Sequence, residues 1–362
     1  MLAIDPDGRL IVESQPATIT GERASVPSAA GRPRPLFVYP NHGDHDYALA
    51  RLDQASLDFV LERLPEIPDA LLRQQVWSTL WEMVRAAELR STEYLETVRQ
   101  FAPGEHDRSL VQSVIDRAVV AQRRYLHETE RAAASHGLTE AAMAAMQQTD
   151  DPDLRLVWAR GAVTFAGGHD DIGRLLELVD GGWSVPGFEP DQQLRWSLAV
   201  KAAAHGMDAG LTRVEHERER DPSDRGQRAA IRAEVSQPDA EVKAQAWSRI
   251  NGEGYGSDYL TRAAIAGFQW SHQRDLLDGY RAPFYERVPE VYRTRDHAYA
   301  ESYLRWLAPD LWAEPDELER MRGVIAGLAE EQELARRHLT EIADDLARDI
   351  RVRGFARKGL VE

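Results

Sequence analysis

One stretch, Asp191 to Trp270, limits the fold of this chain more than any other. It reads DQQLRWSLAVKAAAHG, then DPSDRGQRAAIRAEVSQPDAEVKAQAWSRI, then SDYLTRAAIAGFQW, each piece opening on or beside an Asp. Leu194 and Leu198 fall on one helical stripe, and Val242, Ala246 and Ile250 on another. Tyr259, Ala263 and Gly267 make a third, with Leu260, Ala264 and Phe268 one step round. Short amphipathic helices with Ala along the buried stripe pack closely on neighbours and cannot stand alone. Pro-Asp helix starts recur at Pro152, Pro190 and Pro238, 38 and 48 residues apart. Helix pairs repeating at roughly 40 residues are the mark of a solenoid. The expected fold is therefore all-α, a HEAT/armadillo-like α–α superhelix over residues 35–362.

Residues 1–34 read differently. The run from Arg9 to Glu13 and the segment Ala17–Thr20 have the β-branched alternation of short strands, with a turn at Pro6-Asp7-Gly8. Two strands are marginal alone, which makes this segment the expected remnant of a larger β-domain and a linker. Helical periodicity then covers Leu52–Leu64, Asp69–Ala87 behind an Asp69 cap, Ser91–Phe101 and Asp107–Leu126. It continues through Thr139–Gln148, Asp153–Phe165, a helix opened by Asp170, Gln273–Tyr280, Phe284–Trp306, Pro315–Gly327 and Glu330–Val352. Roughly fourteen to eighteen helices are expected.

Charge and composition narrow the function classes. Asp and Glu number 60 against 44 Lys and Arg, a net charge of −16, and the arginines are interleaved with acids, as in Glu215–Arg220. No basic stripe offsets this, which argues against nucleic acid as a partner. The absence of Cys rules out disulfides, thiolate zinc ligands and a cysteine nucleophile, and fits a reducing cytoplasm. No signal peptide is recognisable and no segment approaches a membrane span, so no membrane partner is expected.

Candidate chemistry is sparse. His127-Glu128 and His216-Glu217 each begin a partial zinc motif, but Arg131 and Arg220 stand where the second His is needed. His42, Asp44, His45 and Asp46 form the densest set of ligand-type residues, with an Asp there expected to cap the next helix. His169-Asp170-Asp171 reads as a turn in which Asp170 caps a helix. Asn251–Gly256 is glycine-rich but follows a helix and lacks the Lys of a phosphate loop. Trp77, Trp158, Trp196 and Trp247 fall within helical patterns, as core aromatics do. No catalytic, cofactor-binding or metal residue can be assigned from these patterns.

Three long passages carry a resemblance. They are GRPRPLFVYPNHGDHDYALARLD (31–53), QQVWSTLWEMVRAAELRSTEYL (74–95) and GFQWSHQRDLLDGYRAPFYERVPEVY (267–292), joined by the 221–250 segment quoted above. They resemble the C-terminal helical domain of the bacterial aminopeptidase N family of zinc metallopeptidases. The resemblance implies a helical domain that docks on a catalytic metallopeptidase domain, in cis or in trans, and closes a chamber for peptide substrates. Zinc is then expected in that catalytic domain and no cofactor in this chain, which holds neither H-E-x-x-H nor G-x-M-E-N. The other reading is a stand-alone solenoid that binds a peptide or protein.

Overall fold

The computed structural model describes residues 1–4 and 10–358. Two short strands, β1 (Leu2–Ile4) and β2 (Leu10–Val12), pair antiparallel with Leu2 opposite Val12 and Ile4 opposite Leu10. The expected strand at Ala17–Thr20 is irregular instead. Pro16, directly before it, lacks the N–H that a ladder needs. The expected turn at Pro6-Asp7-Gly8 lies outside the described residues. All other regular elements among the described residues are helical.

The helices divide between two compact units, Met1–Ala118 with Phe355–Glu362, and Val119–Gly354. In chain order the first four are α1 (Gln54–Arg63), α2 (Ala70–Arg85), α3 (Ser91–Phe101) and α4 (Arg108–Val120). Aspartates start most of them: Asp53 accepts from the Ser56 amide at 2.8 Å, Asp69 from Leu72 at 3.1 Å and Asp107 from Leu110 at 2.8 Å. Each such cap is worth about 1 kcal/mol. The first unit buries Phe37, Val60, Leu64, Val76, Trp77 and Tyr94, with Trp77 edge-on to Tyr94 at 6.4 Å. Buried Glu105 is held by Arg73 and by the Trp77 indole N–H at 3.1 Å.

The second unit opens on a wide π-type turn, Ala121–Tyr125, where unbroken helix to Leu126 was expected. It continues with α5 (Glu128–Gln148), α6 (Pro152–Phe165), α7 (His169–Asp180), α8 (Gln192–Ala204), α9 (Asp208–Arg220), α10 (Asp224–Ser236), α11 (Ala240–Ile250) and α12 (Asp258–Phe268). The single turn α13 (Arg274–Leu277) leads to α14 (Arg281–Thr294), α15 (His297–Leu307), α16 (Pro315–Gly327) and α17 (Glu333–Lys358). Within this unit alternate helices lie side by side, α8 on α6, α10 on α8, α12 on α10 and α15 on α12. The intervening α9 and α11 pack against their sequence neighbours, which gives two stacked layers. The core of the later helices joins Ile250, Ile265, Phe268, Phe284, Val288, Tyr303, Met321 and Leu339.

Several expected boundaries move, each for a local reason. The Phe284–Trp306 pattern is two helices, because Asp296 accepts from the Tyr299 amide at 3.0 Å and starts α15. Helix α5 begins eleven residues before the expected Thr139, since its first half, ETERAAASHGL, is polar and shows no stripe. Tyr259, placed on a packed stripe by its spacing, is 65% exposed, and the buried face of α12 is Thr261, Ala264, Ile265 and Phe268. No helix among the described residues is long and apolar enough to cross a membrane.

Candidate functional site

The sequence candidates resolve into structural roles. His42 bridges Ser14 at 2.8 Å and Asp69 at 3.3 Å, and so braces the cap of α2. Asn41 donates to the Asp46 carbonyl at 2.8 Å, and neither Asp44 nor Asp46 caps a helix, because α1 starts later on Asp53. His127 is itself the N-cap of α5, just outside the helix on whose surface it was expected, and Glu128 pairs with Arg274 at 2.9 Å. His216 is exposed on α9, whereas Glu217 is buried and held by Arg195 at 3.0 Å. Asp170 does not cap α7: Gly168 occupies the cap, and Asp170 and Asp171 lie in the first turn. Asn251–Gly256 is a turn between α11 and α12, with Gly254 and Gly256 at positive φ. Trp77, Trp158 and Trp196 are buried, and the Trp196 indole donates to Asp221 at 2.8 Å.

The side chains that sequence spacing did not single out are grouped in the second unit, at the C-terminal ends of α6, α8, α10 and α12. Helix C-termini leave carbonyls without partners, and here buried donors reach them. Lys201 donates to the Thr164 and Ala166 carbonyls at 2.8 and 2.5 Å, and Gln122 and Ser135 to Phe165 at 3.0 and 2.6 Å. Lys243, fully buried, donates to Val235 at 2.8 Å and Phe268 at 2.7 Å. Gln273 ties the Ala204 and Ser236 carbonyls together at 2.6 and 2.8 Å, and His272 donates to Ala204 at 2.8 Å. His205 stacks on His272 with ring centres 4.0 Å apart, and His169 donates to the His205 carbonyl at 2.8 Å.

Burial sets the charge states in this row. Desolvation pushes Lys201 well below the usual lysine value, aided by the Arg123 charge and opposed by Asp171. Desolvation likewise lowers Lys243 to about 7. It pushes His205 down to about 3, with His272, Lys201 and His169 adding like-charge repulsion. The His205 and His272 imidazoles, both pushed down mainly by burial, are thus neutral at pH 7, while Arg123 on the wide turn and Arg232 on α10 remain cationic. Both arginines are exposed at the surface, yet protein crowds them enough for desolvation to lower their pKa, and the two charges repel each other.

A second polar network joins the beginning of this unit to its end. Arg124 donates to Asp349 on α17 at 2.8 Å and faces Asp310 at 3.6 Å, while Arg353 donates to the Arg124 carbonyl at 2.6 Å. Burial raises the Asp349 pKa to about 7 against the pull of Arg124, and raises Asp310 as well. Asp349 is spaced like a surface acid among arginines, and only its contact with a residue 225 positions away distinguishes it.

The metal-type grouping found among the described residues is His136, Glu140 and Asp171, with ligand atoms within 4.8 Å of one another. His136 Nδ1 bonds Asp171 at 2.8 Å, and Glu140 is paired with Arg174. A peptidase zinc of the expected kind needs two imidazoles on one helix with a further carboxylate. This set offers one imidazole and carboxylates already engaged, so it does not fit that metal.

Comparison with known proteins bears on the whole helical array. A family model described as ERAP1-like C-terminal domain matches residues 37–348. The chain is also 31% identical over 334 residues to "Aminopeptidase N" of Streptomyces lividans, a match covering 92% of this chain and 39% of that protein. The chain belongs to the ERAP1-like C-terminal domain family. It is thus a C-terminal domain of the aminopeptidase N family, as the three quoted passages implied. This ERAP1-like domain spans about two fifths of the length of the curated relative it matches. Its helical row, with Arg123 and Arg232, lies within the matched residues.

Proposed function

We propose that this chain works as the non-catalytic C-terminal part of an aminopeptidase N-type zinc metallopeptidase, docking on the zinc domain and bounding the chamber that receives peptides. The observation that carries this reading is the family match over residues 37–348 together with a relative of which the chain covers only 39%. On this reading the zinc, and the water it activates, belong to the partner domain, in keeping with a chain that carries no H-E-x-x-H motif. The domain contributes exclusion and positioning, which raise the effective concentration of a bound peptide at the reacting centre. The Cys-free composition is suited to a cytoplasmic setting.

The test is complementation. The zinc domain of the same system, produced separately, is assayed on alanyl- and leucyl-aminocoumarin and on peptides of increasing length, with and without this chain. Alone, this chain is expected to be inactive. Added to the zinc domain, it should form a stable complex and change the length dependence of hydrolysis. A well-folded chain that ignores the zinc domain while binding an unrelated peptide would replace this reading with that of an interaction scaffold.

A further inference from the structure

His136, Glu140 and Asp171 do not suit a peptidase zinc, yet the fold draws them together from two helices. His136 and Glu140 stand four residues apart on α5, a spacing that puts both side chains on one face. Asp171 comes from the first turn of α7, 35 residues after His136. One ligand atom from each lies within 4.8 Å of the other two. Donors around one zinc stand roughly 3–4 Å apart, so rotation of the His136 and Glu140 side chains, both open to solvent, closes the set. The third donor is fixed, since Asp171 is only 4% exposed.

The backbone beneath the three is held in place. Ser135, next to His136, donates to the Phe165 carbonyl at 2.6 Å, and Gly167 leaves no room for a Cβ against the Ser135 hydroxyl. The turn into α7 therefore lies hard against α5 at the level of His136. Two present contacts must give way to an ion. Arg174, one turn after Asp171 on α7, pairs with Glu140, and both of those side chains are about half exposed. An exposed pair of this kind contributes little, so displacing Arg174 costs at most about fivefold in metal affinity. His136 Nδ1 and Asp171 Oδ1 are 2.8 Å apart. A cation takes the place of the proton they share, and that proton passes to solvent.

We propose that His136, Glu140 and Asp171 form a three-ligand site for a divalent transition metal of the zinc class, which clamps α5 to α7. One imidazole with two carboxylates suits zinc, cobalt or nickel, whereas magnesium gains little from an imidazole and prefers oxygen alone. Water completes the coordination, because three protein ligands leave a position open. Arg174 is the group that the ion displaces from Glu140, and so competes with it.

The test uses the full chain, free of any affinity tag and stripped with chelator, in calorimetric titration and thermal unfolding with zinc and with magnesium. Zinc is expected to bind one per chain and raise Tm, and magnesium to do neither. His136→Gln and Glu140→Gln, at side chains open to solvent, should weaken zinc binding at least tenfold. His216→Gln, at an exposed histidine on α9, serves as the control and should bind as wild type does. Arg174→Gln should bind zinc more tightly, by up to about fivefold, a gain that loose binding to surface histidines would not show. No saturable zinc binding by wild type, or equal binding by wild type, H136Q and E140Q, would overturn the site. Magnesium binding as tightly as zinc would overturn the metal class. Zinc binding by R174Q no tighter than wild type would overturn the competition by Arg174.

Discussion

Lys243 is the residue whose chemistry departs furthest from its type. It sits fully buried with its ammonium between the Val235 and Phe268 carbonyls and 5.4 Å from the Phe268 ring. Its folded pKa, about 7, lies below the ordinary lysine value of 10.5, so between those values the unfolded chain binds the extra proton. Stability therefore rises with pH across that window, at no more than about 1.4 kcal/mol per pH unit. Comparing Lys243→Met with wild type by chemical denaturation at pH 7 and pH 10 isolates the effect. The difference should move in favour of wild type at the higher pH, and a pH-independent difference would contradict the depressed pKa. The sequence hid this lysine, because Lys243 neighbours the Val242–Ala246–Ile250 stripe and reads as its solvated flank. Only the convergence of two helix ends turns it inward.

At the scale of elements, the α10–α12 crossing is tightly defined. A Cβ on Gly267 would stand 2.5 Å from the Arg232 carbonyl oxygen, which is backbone and cannot swing away. Gly267→Ala should thus force the two helices apart and cost about 1–3 kcal/mol, read as a lower denaturation midpoint with an unchanged slope. The same substitution at Gly279, where a side chain meets nothing, should leave the midpoint close to wild type. Much of this level was legible. The Pro315–Gly327 helix, the Asp69 and Asp191 caps and the buried Leu194–Leu198 stripe stand where spacing and capping put them. The misses have a common origin: α5 lacks a stripe over its first half, and Asp296 divides one continuous pattern into two helices by a single side-chain bond. Local periodicity cannot report a cap that competes with it. The candidate site was less legible still, since Lys201 and His205 share the end of α8 while Arg123 and Gln273 stand on two turns distant in sequence, and the relation among the three is only spatial.

At the scale of the whole molecule, the Arg124–Asp349 contact ties the first turn of the second unit to its last helix. Asp349 is raised from 3.8 to about 7, so the folded chain keeps a proton that the unfolded chain gives up between those values. The stability this group supplies is full below about pH 4 and is lost as pH rises through 7. Asp349→Asn cannot ionise, and the stability difference between wild type and this variant should shrink or turn negative from pH 4 to pH 7. A difference that grows over that range would show the carboxylate to be held ionised by Arg124. The contact also has a meaning in time. Arg124 leaves the ribosome 225 residues ahead of its partner. At about 5–20 residues per second that is a wait of roughly 10–45 s, during which the earlier helices must hold their shape with a half-buried, unpartnered cation at their edge.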